Sequence, residues 1–129
     1  MFNHPLMSNN FKRKDFDGVI KLLKSKDPIL TSSVNVVDFE KKWSKWLGIK
    51  YSVFVNSGSS ANFLTIAALK IFNKSKKNEI IVPSLTWISD VVSIINHNFK
   101  PIFVDINLNN LGAKEDEIIK KINKNTLAV

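Results

Sequence analysis

Short apolar runs alternate with helix-length segments along most of this chain, and that alternation restricts its possible folds more than any other feature. YSVFV (51–55), EIIV (79–82) and PIFV (101–104) are β-type runs, and LAV (127–129) opens a fourth. Their apolar residues do not alternate with polar ones, as expected of strands buried on both faces. Between them lie segments with helical spacing: Ala61 to Phe72, Thr86 to Asn96 and Ala113 to Ile122. Strand–helix alternation at this spacing implies right-handed crossovers and a mostly parallel sheet with flanking helices, an α/β fold.

Two further helices are expected upstream. Phe16 to Ser25 carries Phe16, Val19, Ile20, Leu22 and Leu23 on one face, with Asp15 as its N-cap. Lys26-Asp27-Pro28 ends it, and Ile29 to Val34 is expected to be extended. Val37 to Leu47 repeats Phe39, Trp43, Trp46 and Leu47 at helical spacing, and Gly48 stands where a left-handed residue is wanted. In the helix after Tyr51–Val55, Leu64, Ala67, Ala68 and Ile71 are expected to form the apolar stripe, and in the last helix Ile118, Ile119 and Ile122 are expected to face inward. This divides the chain into an N-terminal helical segment, 1–50, and the βα units of 51–129. The sequence ends on an apolar strand-like segment with no turn after it, which is read as a truncated, incomplete domain. A parallel sheet without strands to cover its edge is expected to be of low stability alone.

Composition narrows the function. The chain has 129 residues, 44% of them hydrophobic, and no apolar run near the roughly 20 residues that cross a bilayer. No signal-like segment opens it, so a cytoplasmic setting without membrane association is expected. The absence of cysteine excludes disulfides and thiolate nucleophiles, and His4 and His97 are too few for a His-based metal site. The formal charge is +8, but Arg13 is the one arginine among 19 basic residues, and the lysines are scattered. Base and phosphate recognition favours arginine forks, so nucleic acid is not the expected partner.

Two local features point to chemistry. Asn56-Ser57-Gly58-Ser59-Ser60-Ala61-Asn62 lies between a strand and a helix. A helix start offers unpaired N–H groups and a partial positive charge, Gly58 lets the backbone turn and an anion approach, and Ser59 and Ser60 add hydroxyls. Together these form a phosphate cradle, against the plainer reading of a serine-rich N-cap. The segment is neither a P-loop nor the dinucleotide GxGxxG, since it has one glycine. The second feature is Pro83-Ser84-Leu85-Thr86-Trp87, just past a strand, with Thr86 a candidate helix cap. Ligands of open parallel sheets gather beyond the carboxyl ends of strands, and Trp87 there could stack on a flat ring. Core packing is the commoner fate of a tryptophan, and on the residues alone both readings stay open.

The segments NSGSSANFLTIAALK (56–70) and EIIVPSLTWISDVVSIINHNFKPIFVDIN (79–107), in this order, resemble the DegT/StrS-type sugar aminotransferases. The resemblance continues through DPILTSSVNVVDFEKKWSKWLGIKYSVFVNSG (27–58) and on to Leu127. It implies the large domain of fold type I PLP-dependent transferases, in part. It implies pyridoxal 5'-phosphate or pyridoxamine 5'-phosphate as cofactor, with Ser57, Gly58, Ser59 and Ser60 holding the phosphate and Trp87 stacking on the ring. Asp105 is expected to be structural, and His97 a surface or capping residue. Asn56 and Asn62 are set aside as possible orienting groups.

The resemblance implies no catalytic residue within the chain: the Schiff-base lysine and the aspartate facing the pyridine nitrogen lie beyond residue 129 in a protein roughly three times as long. The whole protein is then expected to be a homodimer moving an amino group from an amino acid such as glutamate to a nucleotide-linked keto-sugar, the 129-residue chain alone being inactive. A pyridoxamine-phosphate-dependent nucleotide-sugar 3-dehydrase is the alternative, favoured by the Asn-Ser-Gly-Ser-Ser-Ala-Asn wording. A non-catalytic module and a Rossmann-like nucleotide binder are the readings from other classes.

Overall fold

A computed structural model describes residues 8–129, arranged as two compact units, one ending at Phe54 and the other spanning Val55–Val129. His4 lies outside the described residues.

In the first unit, helix α1 is Arg13–Leu23 and helix α2 is Val34–Leu47. Lys12, not Asp15, is the N-cap of α1. Asp15 sits one turn in and accepts from the Lys12 N–H at 2.8 Å, so an acidic residue expected at the cap works from the third helical position. Ser33 caps α2 and accepts from the Asn35 N–H at 3.3 Å, so the helix starts three residues earlier than its apolar spacing shows. Gly48 ends α2 with φ +72°, the left-handed conformation expected of it. Residues 29–33 form no strand.

Tyr51–Val55, expected as the first strand, also lies outside the sheet. The Phe54 N–H goes instead to the Glu40 carboxylate at 2.8 Å, and the Phe54 ring stands edge-on to Phe39 at 5.2 Å. Its residues have strand chemistry, but no described strand runs beside them, and a ladder needs a partner.

The second unit contains the sheet. Helix α3 is Gly58–Phe72, strand β1 Glu79–Pro83, helix α4 Ile88–Asn96, strand β2 Lys100–Val104, helix α5 Glu115–Lys121 and strand β3 Thr126–Ala128. The strands are parallel in the order β2-β1-β3, with Glu79 level with Lys100 and Pro83 with Val104. β1 is therefore central, and Ile80, Ile81 and Val82 are all buried, as an unalternating run requires. Ile80 and Val82 pack with Ile94 of α4 and Phe99, joined by Ile66 and Leu69 of α3, Val91, Leu127 and Ala128. Each fully buried aliphatic side chain contributes about 1.5–3 kcal/mol.

Two expectations fail on helix faces. The inward stripe of α3 runs through Ile66 and Leu69, while Leu64 and Ile71 are exposed. In α5 Ile118 is half-buried, but Ile119 and Ile122 are exposed. Both helices carry apolar residues on more than one side, so spacing alone does not select the packed face.

At the amino end of the sheet one carboxylate ties all three strands. Glu79 accepts from Asn123, which precedes β3, at 2.9 Å and from Lys100 of β2 at 3.2 Å. The Asn123 amide first, then the Lys100 ammonium, holds its carboxyl below the ordinary glutamate range. A depressed folded value means that the stabilisation is complete above the ordinary range and is lost as pH falls through the depressed value. Asp116, whose carboxyl the Lys120 ammonium lowers, acts in the same direction from an exposed site. Glu79→Gln should therefore flatten, without abolishing, the fall in urea midpoint between about pH 6 and about pH 3. A profile as steep as that of the unaltered chain would show that Glu79 is not part of the acid sensitivity.

Candidate functional site at the carboxyl end of the sheet

A helix that precedes a parallel strand runs antiparallel to it, so α3 begins where β1 ends. α4 begins at that end too, five residues after Pro83. The two helix starts, and with them the two sequence features singled out above, therefore share one end of the sheet.

At the start of α3, Ser57 is the N-cap, and its Oγ accepts from the Ser60 N–H at 3.1 Å. The Ser60 hydroxyl donates to Asn56 Oδ1 at 2.6 Å, and the Ser57 hydroxyl lies 3.1 Å from that of Ser60. Ser57 O accepts from the Ala61 N–H at 3.1 Å. The N–H groups of Gly58 and Ser59 have no acceptor among the described residues. They are the unpaired donors that a helix start presents, along with the positive end of the helix dipole.

Gly58 is not there for a left-handed turn: among the described glycines only Gly48 has a positive φ. A Cβ on Gly58 would meet nothing within 4 Å, so the ground beside it is open. Ser59 and Ser60 line a shallow hollow of about 390 Å³ with Phe63 and Leu64. Ser57 satisfies one of the donors at this helix start, and those of Gly58 and Ser59 are left without an acceptor among the described residues. Asn56, set aside on sequence grounds, holds the Ser60 hydroxyl.

Trp87 stands at the N-cap of α4 and is 74% exposed, so it packs into no core formed by the described residues. Thr86 does not cap the helix. Its hydroxyl donates to Asp90 Oδ2 in the first turn. The Asp90 Oδ1 accepts from the Asn62 amide of α3, and the same amide donates to Ser89 Oγ at 3.1 Å. Spacing within one helix gives no sign of this tie, since its partners lie 28 residues apart. These polar groups border an apolar hollow of about 680 Å³ lined by Ile66, Leu69, Ile80, Val82 and Ala128 among others.

Asp105 and His97 take structural places. Asp105 Oδ1 accepts from the Ile106 N–H at 2.8 Å, and its own N–H donates to Glu117 at 2.9 Å. His97 is the C-cap of α4, its Nδ1 2.8 Å from Ser93 O and its ring 4.4 Å from that of Phe63.

The family model for the DegT/DnrJ/EryC1/StrS aminotransferases matches residues 10–129. The chain belongs to this family. A GDP-4-keto-6-deoxy-D-mannose 3-dehydratase of Yersinia pseudotuberculosis is 33% identical to it over the whole chain and 33% of its own length. A GDP-perosamine synthase of Vibrio cholerae is 32% identical over 70% of the chain and 24% of its own length. Among solved structures, the Escherichia coli GDP-4-keto-6-deoxy-D-mannose-3-dehydratase with bound hydrated PLP superposes with a TM-score of 0.82 at 33% identity, covering 98% of the chain and 33% of the enzyme. The fold is accordingly that of part of the large domain of fold type I PLP-dependent transferases, and the chain spans about a third of the length of the curated relatives it matches. Among the described residues no helix is long and apolar enough to cross a membrane.

The open ground beside Gly58 allows a binding role to be tested apart from a structural one. Gly58→Ala should leave the fold intact and raise stability by about 0.5 kcal/mol, because alanine narrows the unfolded ensemble. It should also weaken inorganic phosphate, since the methyl group enters the approach to the two free N–H groups. Thermal melts with and without phosphate measure both effects, and unchanged phosphate protection would remove Gly58 from the cradle.

Proposed function

We propose that the whole protein binds pyridoxal or pyridoxamine 5'-phosphate and acts on a nucleotide-linked keto-sugar. The observation that carries this reading is the pairing, at one end of the sheet, of a helix start with two unspent N–H groups and an exposed indole. The residues present fit the coenzyme. The Gly58 and Ser59 N–H groups, with the Ser59 and Ser60 hydroxyls, suit its phosphate, and the open ground at Gly58 admits it. The Trp87 face suits its pyridine ring. When bound, the coenzyme supplies an electron sink for carbanion chemistry on the sugar. The chain's own part is to anchor the anionic tail, to cover the ring and to keep the two in register. The chemical control of the ring nitrogen and aldehyde is assigned to residues outside 1–129.

Of the two reactions found among the relatives, removal of a sugar hydroxyl by a 3-dehydratase is favoured. The dehydratases align along all of this chain, including 1–50, while the perosamine synthase aligns along 70% of it. The NSGSSAN wording of 56–62 points the same way. Amino transfer from glutamate to the keto-sugar is the second reading, supported by the family's own description and by the synthase relative.

Incubating the full-length protein with pyridoxamine phosphate and a GDP-linked 4-keto-6-deoxy-hexose decides between them. The dehydratase reading expects a product that has lost the 3-hydroxyl, and the aminotransferase reading expects one that has gained an amine. Trp87→Ala should weaken coenzyme retention by roughly two- to twelvefold, the range of an aromatic stacking contact. Failure of the unaltered protein to retain either vitamer would end the proposal.

A further inference from the structure

We propose that Asn62 and Asp90 are a positioning pair that sets the spacing between the anion-holding turn and the Trp87 indole. This rests on the functional reading above and deepens it.

Asn62 sits four residues before Ile66 and seven before Leu69, the two α3 side chains packed in the core. By helical spacing it occupies the same inward stripe, where an apolar residue would be expected. A half-buried amide at such a place is accounted for by its partners. Its Nδ2 donates to Ser89 Oγ and to Asp90 Oδ1, the only described side-chain hydrogen bonds between α3 and α4. Asp90 faces both ways. One carboxylate oxygen holds Asn62, and the other accepts from Thr86, the residue immediately before Trp87. The Asp90 N–H donates to Trp87 O at 3.0 Å, so the backbone of Trp87 is tied to the same residue.

Apolar contacts such as Ile66 and Leu69 against Ile94 tolerate sliding of one helix on another. Directional bonds to a carboxylate do not. The chain of contacts runs Ser57–Ser60, then Asn62 half a turn further along α3, then Asp90, then Thr86 and Trp87. A ligand held at one end by its phosphate and at the other by its ring bridges the two helix starts, and its affinity depends on their spacing. A ligand with a phosphate alone does not.

That difference supplies the test. In the full-length protein, Asn62→Leu fills the stripe with an apolar residue of similar size. Pyridoxal phosphate should bind about tenfold more weakly, with a reduced circular dichroism band from the bound coenzyme, while inorganic phosphate affinity stays within about twofold. Asp90→Ala should show the same split, and Asp90→Asn should restore most of the coenzyme affinity, because its amide offers an oxygen to Asn62 and an N–H to Thr86. Equal loss of phosphate and coenzyme in Asn62→Leu and Asp90→Ala would make the pair merely structural, and unchanged coenzyme affinity and dichroism would overturn the inference outright. If the unaltered protein binds phosphate but no pyridoxal phosphate, the functional reading itself has failed, a result distinct from either of these.

Discussion

β1 is held from both sides and buried on both faces, and the features at the carboxyl end of the sheet take their positions from it. Ile80 and Val82 anchor α3 and α4 on one face, and the parallel pairing with β2 and β3 fixes the sheet's direction. Once the direction is fixed, the amino ends of α3 and α4 must come together beyond Pro83. Neither the serine-rich turn nor Trp87 is a site by itself. Their meeting follows from α3 and α4 packing together on the same core about one central strand, with their first turns joined through Asn62 and Asp90.

Much of this was legible in the residues. β1, β2 and α4 follow directly from apolar runs closed by proline or opened by polar residues, and their bounds fall within one or two positions. The Gly48 left-handed cap was equally plain, because few other residues adopt that backbone. The features that escaped are those decided by distant partners. Tyr51–Val55 has the composition of a strand, yet pairing is a property of two segments. The face of α3 was misjudged because Phe63, Leu64, Ile66, Leu69 and Ile71 ring the helix. Asn62 held the missing signal, since a polar residue in register with Ile66 and Leu69 marks the side on which a partner waits.

The two ends of the sheet divide the work. At the amino end Glu79 gathers Lys100 and Asn123 and ties the strands. At the carboxyl end the polar groups are either shared between helices, as in Asn62 and Asp90, or left free, as in the N–H groups of Gly58 and Ser59. The solved 3-dehydratase superposes on nearly all of this chain, which matches about a third of that enzyme's length.

Under the proposed function, the short bond from the Ser60 hydroxyl to Asn56 has a consequence for loading. A hydroxyl has one proton, and here it is directed at a neighbouring carbonyl rather than outward. A dianion reaching this turn would therefore meet oxygen lone pairs until that rotor swung round, and Asn56 would compete with it for the proton. Capture would then draw first on the fixed backbone donors and afterwards on the reoriented side chain. Asn56 would in that case act as a latch on occupancy, linking how quickly the turn filled to how firmly it gripped.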